Sequence, residues 1–428
     1  MDQRINSNSK NHLIIGGIDA TELIAQYQTP LYVMDESMMR SNCKQFLSRF
    51  YHASVETEVI YASKAFLTVQ MAKLIAEEGL SIDVVSGGEL YTVLKSGFPV
   101  DRIYLHGNNK SHEEIEMAIA NQIGTIVVDN GDEIKRILKH KWHGKQRIML
   151  RINPGIEAHT HEYIKTTKND SKFGLSIFDP STLELIKQIH QHPLFDFVGF
   201  HTHIGSQIFE SESFMLLAQT VLSYIAKIKQ DLGISIREMN LGGGFGVRYI
   251  QEDQPFLISE FFPKLLNFIA DEALRLDIQT PKVMIEPGRA IVAEAGYTLY
   301  SVSGIKETYG GKRFLFVDGS MADHIRTALY QASYQALIAN DVNRPIEHHY
   351  TVTGKACESG DIIIKDIQLP KPQEGDILAV LSTGAYHYSM SSNYNRLLKP
   401  AVVFASNGQS RIIVKRETYD DLLRNDTL

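Results

Sequence analysis

Lys64 closes the run Tyr61-Ala62-Ser63-Lys64, a primary amine at the end of an apolar stretch. Most lysines are merely solvated. One at the end of an apolar strand would sit in the mouth of a fold, and partial desolvation would leave it nucleophilic enough to form a Schiff base. Gly242-Gly243-Gly244-Phe245-Gly246 is either a flexible turn or a place where backbone N–H groups approach a phosphate, with Ser206 and Arg289 as further donors. Glu286-Pro287-Gly288-Arg289 reads as an ion pair around a turn, or as a carboxylate for a heteroaromatic nitrogen and a guanidinium for an anion. A carboxylate beside a pyridine nitrogen keeps it protonated, and a pyridinium is a strong electron sink. His201-Thr202-His203 supports a competing chemistry. Residues two apart on a strand point the same way, so both could reach the zinc of a hydrolase, with Asp129, His106 and Glu286 as further ligands. That reading leaves Lys64 and the glycine run without a task. Cys357-Glu358 and Tyr386 carry little signal alone, as an incidental pair in a turn and a packed aromatic.

These groups share one kind of address. Eight short β-branched, apolar runs, at 58–65, 82–86, 103–107, 125–129, 147–153, 197–205, 238–244 and 282–288, alternate with segments of helical period. Each run ends in polar or glycine residues. Between them, Ser111 with Glu114 spells a capping box, and Asp179-Pro180 an N-cap before a first-turn proline. Eight strand–helix repeats are the count of a (β/α)8 TIM-type barrel, whose active site lies at the C-terminal ends of its strands. An open doubly wound sheet is the competitor, since alternation alone does not prove closure. Beyond residue 295 the pattern changes to β-forming runs at 297–305, 313–317, 349–352, 361–367, 376–381 and 411–415, with only 322–340 reading as helical. The expected fold class is therefore α/β. A barrel would span 36–294, and residues 1–35 and 295–428 would form a mostly antiparallel β-sandwich or β-barrel domain that the strand-like run 30–35 joins.

Composition narrows the partners. With 43 Lys and Arg against 50 Asp and Glu, the net charge is −7, which argues against nucleic acid or an anionic membrane surface. A small anionic ligand needs only a local cluster of donors. Two cysteines, Cys43 and Cys357, make no disulfide framework. The polar N-terminus lacks the apolar core of a signal peptide, and no apolar stretch approaches the ~18 residues that span a bilayer. The expected location is the cytoplasm.

The motifs Tyr61-Ala62-Ser63-Lys64-Ala65, His203-Ile204-Gly205-Ser206, Gly242-Gly243-Gly244-Phe245-Gly246, Glu286-Pro287-Gly288-Arg289 and Cys357-Glu358-Ser359-Gly360-Asp361 occur in this order. Together they resemble the fold-type III pyridoxal-phosphate decarboxylases, whose barrel is alanine-racemase-like. The stretches 83–90, 151–161 and 389–395 bring the likeness closest to the diaminopimelate decarboxylases, from residue 29 to the C-terminus. The resemblance implies pyridoxal 5'-phosphate as cofactor, no metal, and conversion of meso-2,6-diaminopimelate to L-lysine and CO2, the last step of lysine biosynthesis. An ornithine- or lysine-type amino acid is the alternative substrate, but it has no second carboxylate to bind. Lys64 would then carry the cofactor as a Schiff base and His203 would stack on its ring. Ser206, the backbone of Gly242, Gly243 and Gly244, Gly288, Arg289 and Tyr386 would hold the cofactor's phosphate end, and Glu286 its ring nitrogen. Arg289, Arg326, Tyr330 and Tyr386 would grip the retained carboxylate; Arg326 and Tyr330, four apart on the expected helix, share a face. Cys357 would return a proton to Cα and Glu358 would contact the distal amino group. Both would enter from the partner subunit of a homodimer. The chain departs from the commoner family pattern at Ser320, His324, Lys355 and His387.

Overall fold

The computed structural model describes residues 4–156 and 171–427. Residues 157–161 of the motif stretch 151–161 lie outside them. Eight parallel strands form a ring: Thr57–Ala62, Ser81–Val84, Ile103–Leu105, Thr125–Val128, Gln146–Asn153, Phe195–His201, Glu238–Asn240 and Lys282–Ile285. The last pairs back onto the first, with Val283 opposite Thr57, so the sheet closes and the open-sheet alternative falls. Closure leaves no unpaired edge and explains why the strands read as continuous apolar runs: both faces are covered.

The barrel interior is layered. Ile60, Tyr104, Val127, Met149, Val198 and Met284 fill its middle. On the N-terminal side of that layer, Lys282 Nζ meets Glu58 at 2.7 Å, Tyr104 donates to Glu58 at 3.0 Å and Arg147 meets Glu238 at 2.6 Å. These partly buried charges are each paired, as burial demands. The helices between strands start where the caps predict. Ser111 and Glu114 form the reciprocal capping box, and the Asp179 carboxylate accepts from Ser181 N ahead of Pro180.

Residues 43–246 and 255–288 make up the barrel unit. The second unit contains residues 1–42, 247–254 and 289–428, so 247–254 cluster away from the barrel strands that flank them in sequence. Its sheet runs in the order Ile362–Leu369, His348–Thr353, Arg313–Val317, Gly296–Glu307, Leu31–Asp35, Ala401–Ser406, Gln409–Val414. Most pairings are antiparallel, and the N-terminal strand is central, with Met34 opposite Gly296 and Phe404. Leu31, Val33, Leu299, Ala379, Leu381 and Val403 share its core.

The helix expected over 322–340 shrinks to Arg326–Tyr330. Gln331 takes a left-handed conformation (φ 55°) and ends it, and Ala336–Ile338 becomes a strand antiparallel to Ile377–Leu381. Local helix formers lose here to a pairing partner forty residues downstream, a context that outweighs propensity.

Candidate active site

Glu286 follows the eighth barrel strand and is 7% exposed. Its carboxylate lies 3.0 Å from His201 Nε2 and 3.1 Å from His106 Nε2, and it accepts from Asn240 Nδ2 at 2.8 Å. The two imidazoles meet edge to face. Each donor sits at the end of a different strand, which is why a barrel can converge them. Burial by itself would raise the Glu286 pKa, but His201 and His106 hold it well below the usual carboxylate range. Burial pushes His201 down to about 4, against the pull of Glu286. The carboxylate is thus ionised, beside the neutral His201 imidazole and the Asn240 amide that donates to it. Asp83 nearby goes the other way: burial, then the Glu286 charge, raise it well above an ordinary aspartate.

The expected zinc geometry changes here. His106, His201 and Glu286 bring three possible ligand atoms within 4.8 Å, but His203 is not among them. The strand ends at His201, so the two-residue rule that would align both histidines stops applying. His203 instead lies beside the glycine run, where burial, then the Lys64 charge, push it down to about 3.

The Gly242–Gly244 turn is locked rather than flexible. A Cβ on Gly242 (φ +73°) would come 2.4 Å from Thr202 O and 3.0 Å from His203 Nδ1, and one on Gly243 would come 2.2 Å from Glu286 O. Phe245 anchors the turn by stacking on Phe214 at 5.0 Å, with Phe46 and Phe262 against its edges. Ile208 N donates to Gly244 O, which ties in the loop that carries exposed Ser206. Gly288 lies so close to Ala62 that a Cβ would be 2.8 Å from its carbonyl oxygen. Lys64 stands on the turn Ser63–Ala65 directly after the first strand and is exposed, not desolvated as its apolar strand suggested.

In the second unit, Arg289 donates to Tyr249 Oη at 2.6 Å and its guanidinium lies 4.8 Å from the Tyr386 ring centre. Arg326 lies over the rings of both Tyr330 (4.9 Å) and Tyr386 (5.2 Å), and its Nε donates to Tyr334 Oη at 2.9 Å. The four-residue spacing of Arg326 and Tyr330 therefore puts them together even on a five-residue helix. Tyr386 has φ +64°, a strained conformation for a non-glycine residue. His324 and His387 pack beside this group with Tyr334, both fully buried and both pushed well down, first by burial. Cys357 and Glu358 are exposed on a separate turn, where Cys357 N donates to Asn395 Oδ1 at 2.7 Å and Tyr394 Oη donates to Glu358 at 3.4 Å.

Sequence reasoning passed over Asn240, Asp83, Tyr249 and Tyr334, and treated His106 only as a metal ligand. Asn240 and Asp83 do carry a signal, since both lie on short, buried barrel strands where polar side chains are costly. Tyr249 and Tyr334 carry none, because the chain brings them to Arg289 and Arg326 only in three dimensions.

The family described as "Pyridoxal-dependent decarboxylase, pyridoxal binding domain" matches residues 37–293. The chain is 47% identical to the diaminopimelate decarboxylase of Bacillus subtilis, over 98% of this chain and 96% of that protein. It is 45% identical to that of Staphylococcus aureus, over 98% and 99%. Among solved structures, the diaminopimelate decarboxylase of M. jannaschii superposes with a TM-score of 0.92 at 32% identity, covering 100% of this chain and 98% of the other. The Helicobacter pylori enzyme complexed with L-lysine superposes at 0.84, also at 32% identity, covering 95% and 98%.

Proposed function

The chain belongs to the pyridoxal-dependent decarboxylases, and within them to the diaminopimelate decarboxylases; from that premise we propose how its residues divide the work of releasing CO2 from meso-2,6-diaminopimelate to leave L-lysine. It is a carboxy-lyase that uses pyridoxal 5'-phosphate. The residues present fit that group: an ionised, buried carboxylate with two imidazoles and an amide around it, a glycine cradle that no Cβ could enter, and an exposed lysine. When bound, pyridoxal phosphate supplies the electron sink for the pair left on Cα as CO2 departs.

Lys64 offers the amine that attaches the group. Glu286 supplies the buried negative charge that keeps a pyridine nitrogen protonated, and His106, His201 and Asn240 hold that charge in place. His203, kept neutral, offers a ring face without adding repulsion. Backbone N–H groups of Gly242, Gly243 and Gly244, the Ser206 hydroxyl, Arg289 and Tyr386 take the phosphate, and Gly288 permits the close approach of its loop to the first strand. Arg326 and Tyr330, with Arg289 and Tyr386, grip the carboxylate that is not lost. Cys357 returns a proton to Cα and Glu358 binds the distal amino group. Both act in the partner's site, so the working enzyme is a homodimer, and it works in the cytoplasm. Among the described residues no helix is long and apolar enough to cross a membrane.

The observation that carries the diacid reading is Arg326. Its guanidinium is steadied by Tyr334, Tyr330 and Tyr386, and among the described residues it pairs with no carboxylate. A substrate's second carboxylate would complete it, and ornithine has none to offer. The test is an absorbance spectrum before and after adding meso-diaminopimelate, with CO2 followed in parallel. A band near ~420 nm that shifts on addition, with CO2 evolved, is the expected result. A band without CO2 would overturn the substrate, and no band after incubation with pyridoxal phosphate would overturn the role of Lys64. Mixing Lys64→Ala with Cys357→Ala subunits should restore about a quarter of the activity if sites are shared across a two-fold dimer.

A further inference from the structure

The turn that carries Cys357 and the segment that leads into Arg326 are joined by a single carboxylate. Asp361, 3% exposed, accepts from Ala356 N through Oδ2 at 2.7 Å and from Met321 N through Oδ1 at 2.5 Å. Ala356 directly precedes Cys357, and Met321 lies in the stretch running into the Arg326–Tyr330 helix. Two further bonds tie the same pieces: Lys355 N donates to Gly319 O at 3.0 Å, and Thr327 Oγ1 donates to Ile363 O at 2.7 Å. The packing admits no slack, since a Cβ on Gly354 would come 2.5 Å from Gly319 O and 2.6 Å from Asp361 Oδ2.

We propose that Asp361 is a positioning residue for the decarboxylation, one carboxylate that sets both the grip on the retained carboxylate at Arg326 and the placement of the proton donor Cys357. The proposal rests on the roles given above to Arg326 and Cys357. In the proposed dimer these two residues of one chain serve different active sites, so Asp361 ties the grip of one site to the donor of the other. Only an ionised carboxylate with two free acceptor oxygens can receive two backbone N–H groups from opposite sides. An asparagine in its place turns one acceptor into a donor and leaves one N–H opposed.

Three variants separate a coupled role from a local one. Asn395→Gly, which suits the left-handed backbone there (φ 52°), frees the Cys357 N–H and should lower kcat with KM unchanged. Tyr334→Phe frees only Arg326 Nε and should raise KM with kcat unchanged. Asp361→Asn should do both, by roughly tenfold each, as expected for losing a hydrogen bond to a charged group. Independently of turnover, the rate at which iodoacetamide alkylates Cys357 should change in Asp361→Asn and Asn395→Gly but not in Tyr334→Phe; Cys43 is fully buried and stays silent. An Asp361→Asn enzyme altered in only one of kcat and KM, or in neither, overturns the proposal. Should that variant not fold, Thr327→Val carries the test: KM and the alkylation rate of Cys357 must move together, and an unchanged alkylation rate refutes the coupling. A parent protein that releases no CO2 from meso-diaminopimelate would overturn the function instead, and the alkylation rates would still decide on Asp361.

Discussion

Replacing Arg326 by alanine removes a half-buried guanidinium whose Nε is fixed by Tyr334 and which lies over the rings of Tyr330 and Tyr386. Hydrogen bonds to charged groups contribute about 1.5–3 kcal/mol, and partial solvent access places this one near ~2 kcal/mol. At about 1.4 kcal/mol per tenfold change, KM for meso-diaminopimelate should rise roughly thirtyfold. The carboxylate in question is retained, so it is held equally before and during the loss of CO2. Such uniform binding moves KM and leaves kcat within about threefold. The assay is CO2 release against substrate concentration, with visible absorbance as the control that the cofactor remains. L-Lysine keeps the retained carboxylate, so its inhibition constant should weaken by the same factor, whereas cadaverine, without a carboxylate, should be unaffected. An unchanged KM, or a fall in kcat alone, would refute the reasoning.

Glu286→Gln removes the buried charge while keeping the volume, and kcat should fall about a hundredfold, the scale of a lost preorganised electrostatic contact. Unaltered turnover in that variant would show that the charge is not used. Gly242→Ala puts a Cβ 2.4 Å from Thr202 O at φ +73°. It should lower the unfolding free energy by about 2 kcal/mol and cost cofactor affinity, and a fully stable variant would mean the turn can yield. Burial pushes His324 down to about 3, so the stability it brings is present above the unfolded value and is lost as pH falls from about 6.5 toward 3. At pH 5.5 the loss is about 1 kcal/mol, and His324→Leu should shrink the difference in unfolding free energy between pH 7.5 and 5.5 by that amount. Asp323, raised to about 7 chiefly by burial, works in the opposite sense: the stability from its tightly held proton is present at low pH and is lost as pH rises through about 7. A pH slope in His324→Leu equal to the parent's would remove the imidazole from the explanation.

Much of the fold could be read along the chain. The alternation of 58–65 through 282–288 with helical segments predicted eight strands, and the observed ring has them within a few residues of those runs. Ser111, Glu114, Asp179 and Pro180 act as written, because a cap needs only neighbours three residues away. The stretch 322–340 misled for the converse reason: Ala336–Ile338 is a strand only because Ile377–Leu381 lies beside it. The proposed site divides in the same way. Lys64, Gly242–Gly244 and Glu286 could be named from the sequence because each follows an apolar run, and the structure puts them after barrel strands, while nothing local marks Tyr249 and Tyr334.

What the chain determined by itself is therefore the order of elements, the addresses of the chemical groups at strand ends, and the motifs that mark its family. Each depends on periodicity or on spacing of a few residues, which survives reading in one dimension. Only the tertiary structure decided which histidine meets Glu286, that this carboxylate stays charged in a buried place, that Lys64 is exposed, and that Asp361 joins the Cys357 turn to the Arg326 segment. Charge state and pairing depend on burial and on neighbours tens or hundreds of residues away, and those come together only when the chain has closed on itself.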